Sequence, residues 1–257
     1  MQPWVPASLV FFVYIAVGAL LRIGLSRRAR VRAVIAAAGG IGLTAFAAQT
    51  TGFWLRDVIL PPLLLVVGYW TSGLLWVGPM ATAERYLACF DQRLRIPELA
   101  ARLPRLVTEF LELAYVAVYP LIPIAFFLHL TSAPAPDAGR FWTVILVTDY
   151  ICFGMLLWLQ TRPPRVVEAG VPYASSLRIV NVTLLSRASI GANTLPSGHA
   201  AEALAVALLL SNAPHAIATS MAVCAIAISA AAVLGRYHYF LDALTGWMVA
   251  AVVWLVV

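Results

Sequence analysis

The chain has 257 residues, 62% of them hydrophobic and 11% charged, with a mean hydropathy of +0.90. Soluble domains carry about a quarter charged residues, so too few polar side chains are present to cover a water-facing surface, and an integral membrane protein is expected. The net charge of +6 comes from 17 Arg and no Lys against 11 acidic residues, which in such a protein marks loops at anionic head groups and not a nucleic-acid surface. No heptads, low-complexity tail or fixed-period repeat divides the chain, so one membrane domain over 1–257 is the simplest organisation. The all-Arg basic set, with abundant Ala and Val, points to a GC-rich bacterial genome and an inner-membrane location. The cysteines Cys89, Cys152 and Cys224 have neither metal nor redox spacing and read as small buried hydrophobes.

The N-terminal stretch Met1-Gln2-Pro3-Trp4 lacks the positive start of a signal peptide, and Arg22, Arg27, Arg28 and Arg30 follow the first apolar run instead. That pattern predicts an uncleaved first helix whose C-terminal end faces the cytoplasm. A span needs about 20 mostly apolar residues. The rule predicts an all-α polytopic bundle of about eight spans, near 7–25, 31–48, 57–78, 106–130, 141–159, 199–212, 215–234 and 239–257. Gly39-Gly40 and the Pro120/Pro123 pair fall inside two of these and predict kinks or close packing. Between the third and fourth spans, Ala83, Tyr86, Leu87, Phe90 and Leu94 recur at three- and four-residue steps among charged residues. This is an amphipathic helix, either in the membrane interface or packed on the protein.

With eight spans, 26–30, 79–105, 160–198 and 235–238 share one face. Fifteen arginines lie near that face and only Arg56 and Arg140 near the other. The positive-inside rule then makes the arginine-rich face cytoplasmic.

Three pieces with chemical potential fall on that face. In Leu195-Pro196-Ser197-Gly198-His199 a helix begins after a proline, and its unpaired N–H groups suit an anion, with Gly198 permitting close approach and Ser197 offering a hydroxyl. The helix ends early at Asn212-Ala213-Pro214, so its roughly 22 Å length falls short of the roughly 30 Å hydrocarbon core and sets His199 in a recess at head-group depth. In the second piece His238 and Asp242 are four apart on one helix face, so the carboxylate can orient the imidazole as a base or nucleophile. Arg236 starts that segment. The third piece, Arg162-Pro163, supplies another forked donor suited to phosphate oxygens. His129 and His215 map to the opposite face. A metal bound by His199, His238 and Asp242 is the rival reading, and two nearby arginines disfavour it.

Leu195 to His199, with Arg236, His238 and Asp242, resembles the second and third signature motifs of the type-2 phosphatidic acid phosphatase superfamily. Arg162-Pro163 is similar to the end of its first motif, so the likeness covers about 140 to 257. Glu112 to Pro123, with Tyr115 and Tyr119, loosely resembles the inositol-phosphorylceramide and sphingomyelin synthase branch. The resemblance implies a six-helix core, here 106–257 behind N-terminal spans and the interfacial helix of 1–105. It also implies a metal-independent mechanism without a cofactor. His238 would attack phosphorus, Asp242 would orient it, and His199 would protonate the leaving oxygen. Arg162, Ser197, Gly198 and Arg236 would hold the phosphoryl oxygens. Two positions depart from the family pattern: Met155 stands where the first motif begins with Lys, and only Tyr237 separates Arg236 from His238. Many family members also work on the extracytoplasmic side, against the arginine count.

Hydrolysis of a lipid monophosphate or pyrophosphate is the function expected first. Transfer of a phospho-head group between lipids is second, and a transporter or scaffold on the same fold is third. Glu109, Glu112, Asp149 and Glu202 are in-membrane acids and candidates in their own right. Pairing with arginine is the simpler reading for Glu109 and Asp149, while Glu202 is placed to tune His199.

Overall fold

A computed structural model describes residues 2–170 and 172–257; Met1 of the N-terminal stretch and Val171 of the polar loop lie outside them. Two long helices come first, α1 (Trp4–Leu21) and α2 (Arg27–Gln49), the second capped by Ser26 Oγ, which accepts from Ala29 N. A π-helical turn (Trp54–Ile59) then runs into α3 (Leu60–Gly73). Pro61 and Pro62 explain the turn, because neither can donate to the carbonyl four residues back. Asp57, one of the two carbonyls left over, accepts Trp142 Nε1 at 2.6 Å.

Two short helices follow at the arginine-rich face, α4 (Ala81–Arg93) and α5 (Ile96–Ala101). The amphipathic segment packs on the protein with two acids, Glu84 and Asp91, buried beside Leu87 of the expected apolar stripe, whereas Tyr86 and Leu94 of that stripe are exposed. Cys89, expected to be buried, is exposed on the same helix, while Cys152 is buried.

The fourth expected span is two helices, α6 (Arg105–Val116) and α7 (Val118–Ser132), meeting at 61°. Pro120 accounts for the place of the bend, since its ring conflicts with the carbonyl of Val116. The chain continues through α8 (Ala138–Gly154) with a 3-10 turn (Met155–Leu157), then α9 (Pro164–Val167) and α10 (Arg178–Ala188). It ends in α11 (Gly198–Leu209), α12 (His215–Leu234) and α13 (Phe240–Val256).

Among the described residues four helices are long and apolar enough to cross a membrane alone, or five with α6 and α7 as one bent span; α11 and α13 are shorter apolar helices. α8 is the hub. It is buried on nearly every side and packs against α1, α3, α7, α11 and α13. Packing contacts set the directions. Gln2 meets Gly139 at one end of α1 and α8, and Arg22 donates to Leu157 O at the other, so these two run parallel. Arg56 and Ala47 lie with Gln2 at the first face, and Tyr69 of α3 reaches Ile190 at the second. The alternation places 22–26, 74–105, 155–197 and 235–239 on one face, the grouping that sequence parity predicts.

Small residues allow helices to come close. Gly40 faces the ring of Phe12, and Gly246 faces the backbone of Ser197 so tightly that an added Cβ would sit 2.5 Å from its carbonyl oxygen. That last contact locks α13 onto the first turn of α11.

Candidate active site

The start of α11 is built locally. Ser197 is its N-cap, and its Oγ accepts a long bond from Ala200 N at 3.4 Å. Ser197 N donates to Asp242 O at 2.9 Å, which ties this start to the first turn of α13. There Asp242 occupies the third helical position, and its Oδ2 accepts Tyr239 N at 2.8 Å. This is ordinary capping chemistry, and it fixes the carboxylate before any function is asked of it.

His238, one residue before that cap, lies with its Nδ1 3.4 Å from Asp242 Oδ2. The alignment does not make a hydrogen bond, and His238 Nδ1 and Asp242 Oδ1 have no hydrogen-bond partner among the described residues. Contact with the carboxylate on the Nδ1 side turns Nε2 away from it. His199 faces His238 with ring centroids 5.9 Å apart and near-perpendicular planes. Tyr115 and Tyr119, on either side of the α6–α7 bend, pack on the His199 ring with centroids at 5.5 and 6.0 Å.

Both histidines line a cavity of about 320 Å³ together with Gly198. α3 and α7 form its side walls with Val66, Trp70, Val118 and Ile122, and Leu185 of α10 covers it. The lining is mostly apolar with a few convergent polar groups, the general character of a small-molecule site.

The arginines are distributed otherwise than the sequence suggested. Arg162 is absent from the cavity lining. Its N, Nε and Nη2 all donate to Glu84 of α4, at 2.7, 3.0 and 2.8 Å. That guanidinium holds the Glu84 carboxyl below the usual carboxylate range. Arg236 is also outside the lining. It is 1% exposed, in left-handed backbone geometry, and clamped between Asp91 and Glu168. Ser197 and Asp242 sit behind the lining, as a cap and as a support for His238.

The guanidinium that does face the cavity belongs to Arg165, a residue passed over in the sequence. Its backbone N donates to Arg236 O at 2.9 Å, and its guanidinium lies 5.8 Å from the centre of the Tyr237 ring. The available signal was Pro163-Pro164, which starts α9 and turns the next side chain inward. Asn193 was missed as well. Its Nδ2 donates to Asp242 Oδ2 at 2.9 Å and to Thr161 Oγ1 at 3.0 Å. Glu112 is buried and takes Tyr173, Arg178, Asn181 and Tyr237 as donors, which fastens α10 over the cavity. Among the described residues no three His, Cys, Asp or Glu side chains converge as a metal site.

Paired histidines and one guanidinium around a mostly apolar cavity in an α-helical membrane fold are an arrangement chemically suited to an anionic ester. Residues 138–257 match the family model of the PAP2 superfamily, a family whose general chemistry is phosphatase or phosphotransferase action on a phosphate ester. That span runs from α8 to the end of α13 and holds His199, His238, Asp242, Arg165 and Asn193. Searches of curated proteins and of solved structures returned no match.

Proposed function

We propose that this chain cleaves a phosphate ester of a membrane lipid through a phosphohistidine at His238, on the cytoplasmic face of a bacterial inner membrane. The observation that carries this is His199 and His238 sharing one cavity with Arg165, while Asp242 backs His238 on its Nδ1 side. His238 Nε2 attacks phosphorus, forming the P–N bond as the P–O ester bond breaks. The leaving oxygen takes the proton held by His199. Water then attacks phosphorus, gives a proton back to His199, and breaks the P–N bond to release phosphate and restore His238. A general acid so placed contributes about 10²- to 10⁴-fold. Arg165 is the donor that holds the phosphoryl oxygens, assisted by the N–H groups at the start of α11. The ion pairs of Arg162 and Arg236 make them supports of the loops around the site, in place of the direct phosphate contacts expected from the motifs.

Hydrolysis of a lipid monophosphate or pyrophosphate is the first reading. Transfer of a phospho-head group to an acceptor alcohol shares its first half-reaction and is second.

The test uses purified protein in neutral detergent with EDTA, supplied with phosphatidic acid, prenyl phosphates and phosphatidylglycerol phosphate. Free phosphate abolished by His238→Ala supports hydrolysis, and a new phospholipid without free phosphate supports transfer. Activity that returns only with a divalent metal rules the mechanism out. Cysteine labelling of the 160–198 loop in intact cells settles the face.

A further inference from the structure

Hydrolysis leaves a charged product in the reaction cavity, and most of the cavity boundary is closed to it. The exposed residues of the lining, Val66, Trp70 and Tyr119, sit on α3 and α7. Each of those helices is seated on α8 and neither on the other, so the opening between them faces the bilayer. A lipid alcohol can leave by that mouth. Free phosphate carries more than one negative charge at neutral pH, and hydrocarbon offers it no hydrogen bonds in exchange for those of water. Toward the water, Leu185 and Ala188 of α10 cover the cavity, and the bonds from Arg178 and Asn181 to Glu112 hold α10 down.

A second cavity, of about 200 Å³, begins on the other side of Arg165. It lies at the arginine-rich face, between Pro97 and Ala101 of α5 and the segment that follows α9. Ala101, Glu168, Ala169 and Gly170 are exposed there, so this cavity opens to water. Arg165 is the one residue that lines both cavities. Among the described residues no carboxylate pairs with it, and its guanidinium bond to Tyr237 O is long, at 3.5 Å. A half-buried side chain held so loosely can change rotamer while its backbone stays bonded to Arg236 O. The second cavity also suits an anion in transit. Its charged lining is Arg165, Arg236 and Glu168, and both Glu168 oxygens are taken by Arg236.

We propose that the second cavity is the aqueous port of the active site, through which inorganic phosphate leaves, with the Arg165 side chain as its gate. This rests on the ester-cleavage reading in its hydrolytic form and adds the route of one product. The phosphoryl oxygens, held by Arg165, lie on the port side of the reaction cavity. Swinging outward, the guanidinium carries phosphate from the histidines to the water side, while the lipid alcohol leaves between α3 and α7.

The experiment narrows the port from its two walls, with Ala101→Phe and Ala169→Phe in the purified full chain; Ala101→Ser is the control of unchanged size. Rapid-quench kinetics on a lipid phosphate then separates the first turnover from the rest. In each Phe variant the first turnover is expected to form the lipid alcohol at the wild-type rate, with later turnovers about tenfold slower as phosphate is trapped. Ala101→Ser should match the wild type in both phases. An unchanged steady-state rate in both Phe variants overturns the proposal. So does a first turnover slowed as much as the later ones, since the substitutions would then act on the chemistry. A second readout needs no turnover: phosphorus-NMR exchange of inorganic phosphate on the same proteins in neutral detergent. A narrowed passage raises the barrier and leaves the end states alone, so on- and off-rates should fall together by about tenfold with Kd unchanged. Unchanged rates, a changed Kd, or no phosphate binding by the wild type overturns the port. Slowed exchange with no lipid cleaved sinks the ester-cleavage reading and leaves the port standing. Cleavage with exchange unaffected does the reverse.

Discussion

Asn193 Nδ2 donates to Asp242 Oδ2 at 2.9 Å, on the same oxygen that accepts the Tyr239 backbone and faces His238. The amide also reaches Thr161, so the carboxylate behind His238 is held from the α8–α9 connection as well as from its own helix. Asn193→Ala removes that hold while leaving every cavity-lining charge in place. The expected result is a drop in kcat of about a hundredfold, the cost of a modest misplacement of a reacting group, with KM little changed. Asn193→Asp, which sets a second carboxylate against Asp242, should be worse. Steady-state kinetics on both variants checks this; a change confined to KM would show that Asn193 binds substrate instead.

The three arginines separate by readout. Arg165→Ala should lower kcat/KM by about 10²- to 10³-fold, as removal of an electrostatic donor does, without altering thermal stability in detergent. Arg236→Ala should act the other way round. It strands Asp91, fully buried, without its counter-charge, and breaking such a pair costs about 3–5 kcal/mol. Arg162→Ala, at a half-exposed site, should lower stability only slightly. Unfolding scans beside activity assays distinguish the patterns.

These arginines also mark where the sequence stops being legible. His238 meets Asp242 across the start of α13, from one residue before the Tyr239 cap and not from within the helix, and the cap at Ser197 is one turn, so short-range spacing brings both into view. Parity across α8, α11, α12 and α13 was enough to bring the two histidines to one face. The partner of a guanidinium is a different matter. Glu84 is 78 residues from Arg162, and Asp91 is 145 residues from Arg236. Nothing in the spacing of the family-like motifs shows that α4 would present both acids to that loop. Arg165 was hidden for a similar reason, because what places it is a backbone bond to Arg236 and the Tyr237 ring, about 70 residues away. The bend at Ala117 was half visible: Pro120 and Pro123 announce a kink, but its 61° depends on what α6 and α7 each pack against.

The Glu84–Arg162 pair gives a pH dependence with a definite sign. Hydrogen bonding from Arg162 lowers the folded-state pKa of Glu84 relative to the unfolded chain. Its stabilising contribution is therefore fully present above the unfolded value, about 4.3 for a free Glu, and is lost as pH falls through the depressed folded value. The wild type should unfold at a higher temperature than Glu84→Gln at neutral pH, and the gap should close as the pH is taken below about 4. A gap that persists unchanged into acid would mean that packing at Glu84, and not its charge, is what the substitution removes.

The tightest test of the site's frame lies at Gly246. A Cβ there would stand 2.5 Å from Ser197 O and 3.3 Å from Ala201 N, both backbone atoms that no side-chain rotation can move. Gly246→Ala must therefore push α13 away from the first turn of α11. His199 travels with one helix and His238 with the other, so the separation falls directly on the pair of rings. The expected cost is about 1–3 kcal/mol of stability, the usual scale of overpacking, together with a loss of kcat larger than that destabilisation explains. Gly39→Ala is the matched control. Nothing lies within 4 Å of its added Cβ in α2, and a helix-interior Gly→Ala change there should stabilise by up to about 1 kcal/mol. Thermal unfolding and phosphate release measured side by side on the two variants decide it. If Gly246→Ala keeps full turnover, the two histidines need not be held at their present separation, and the concerted roles given to them would have to be reassigned.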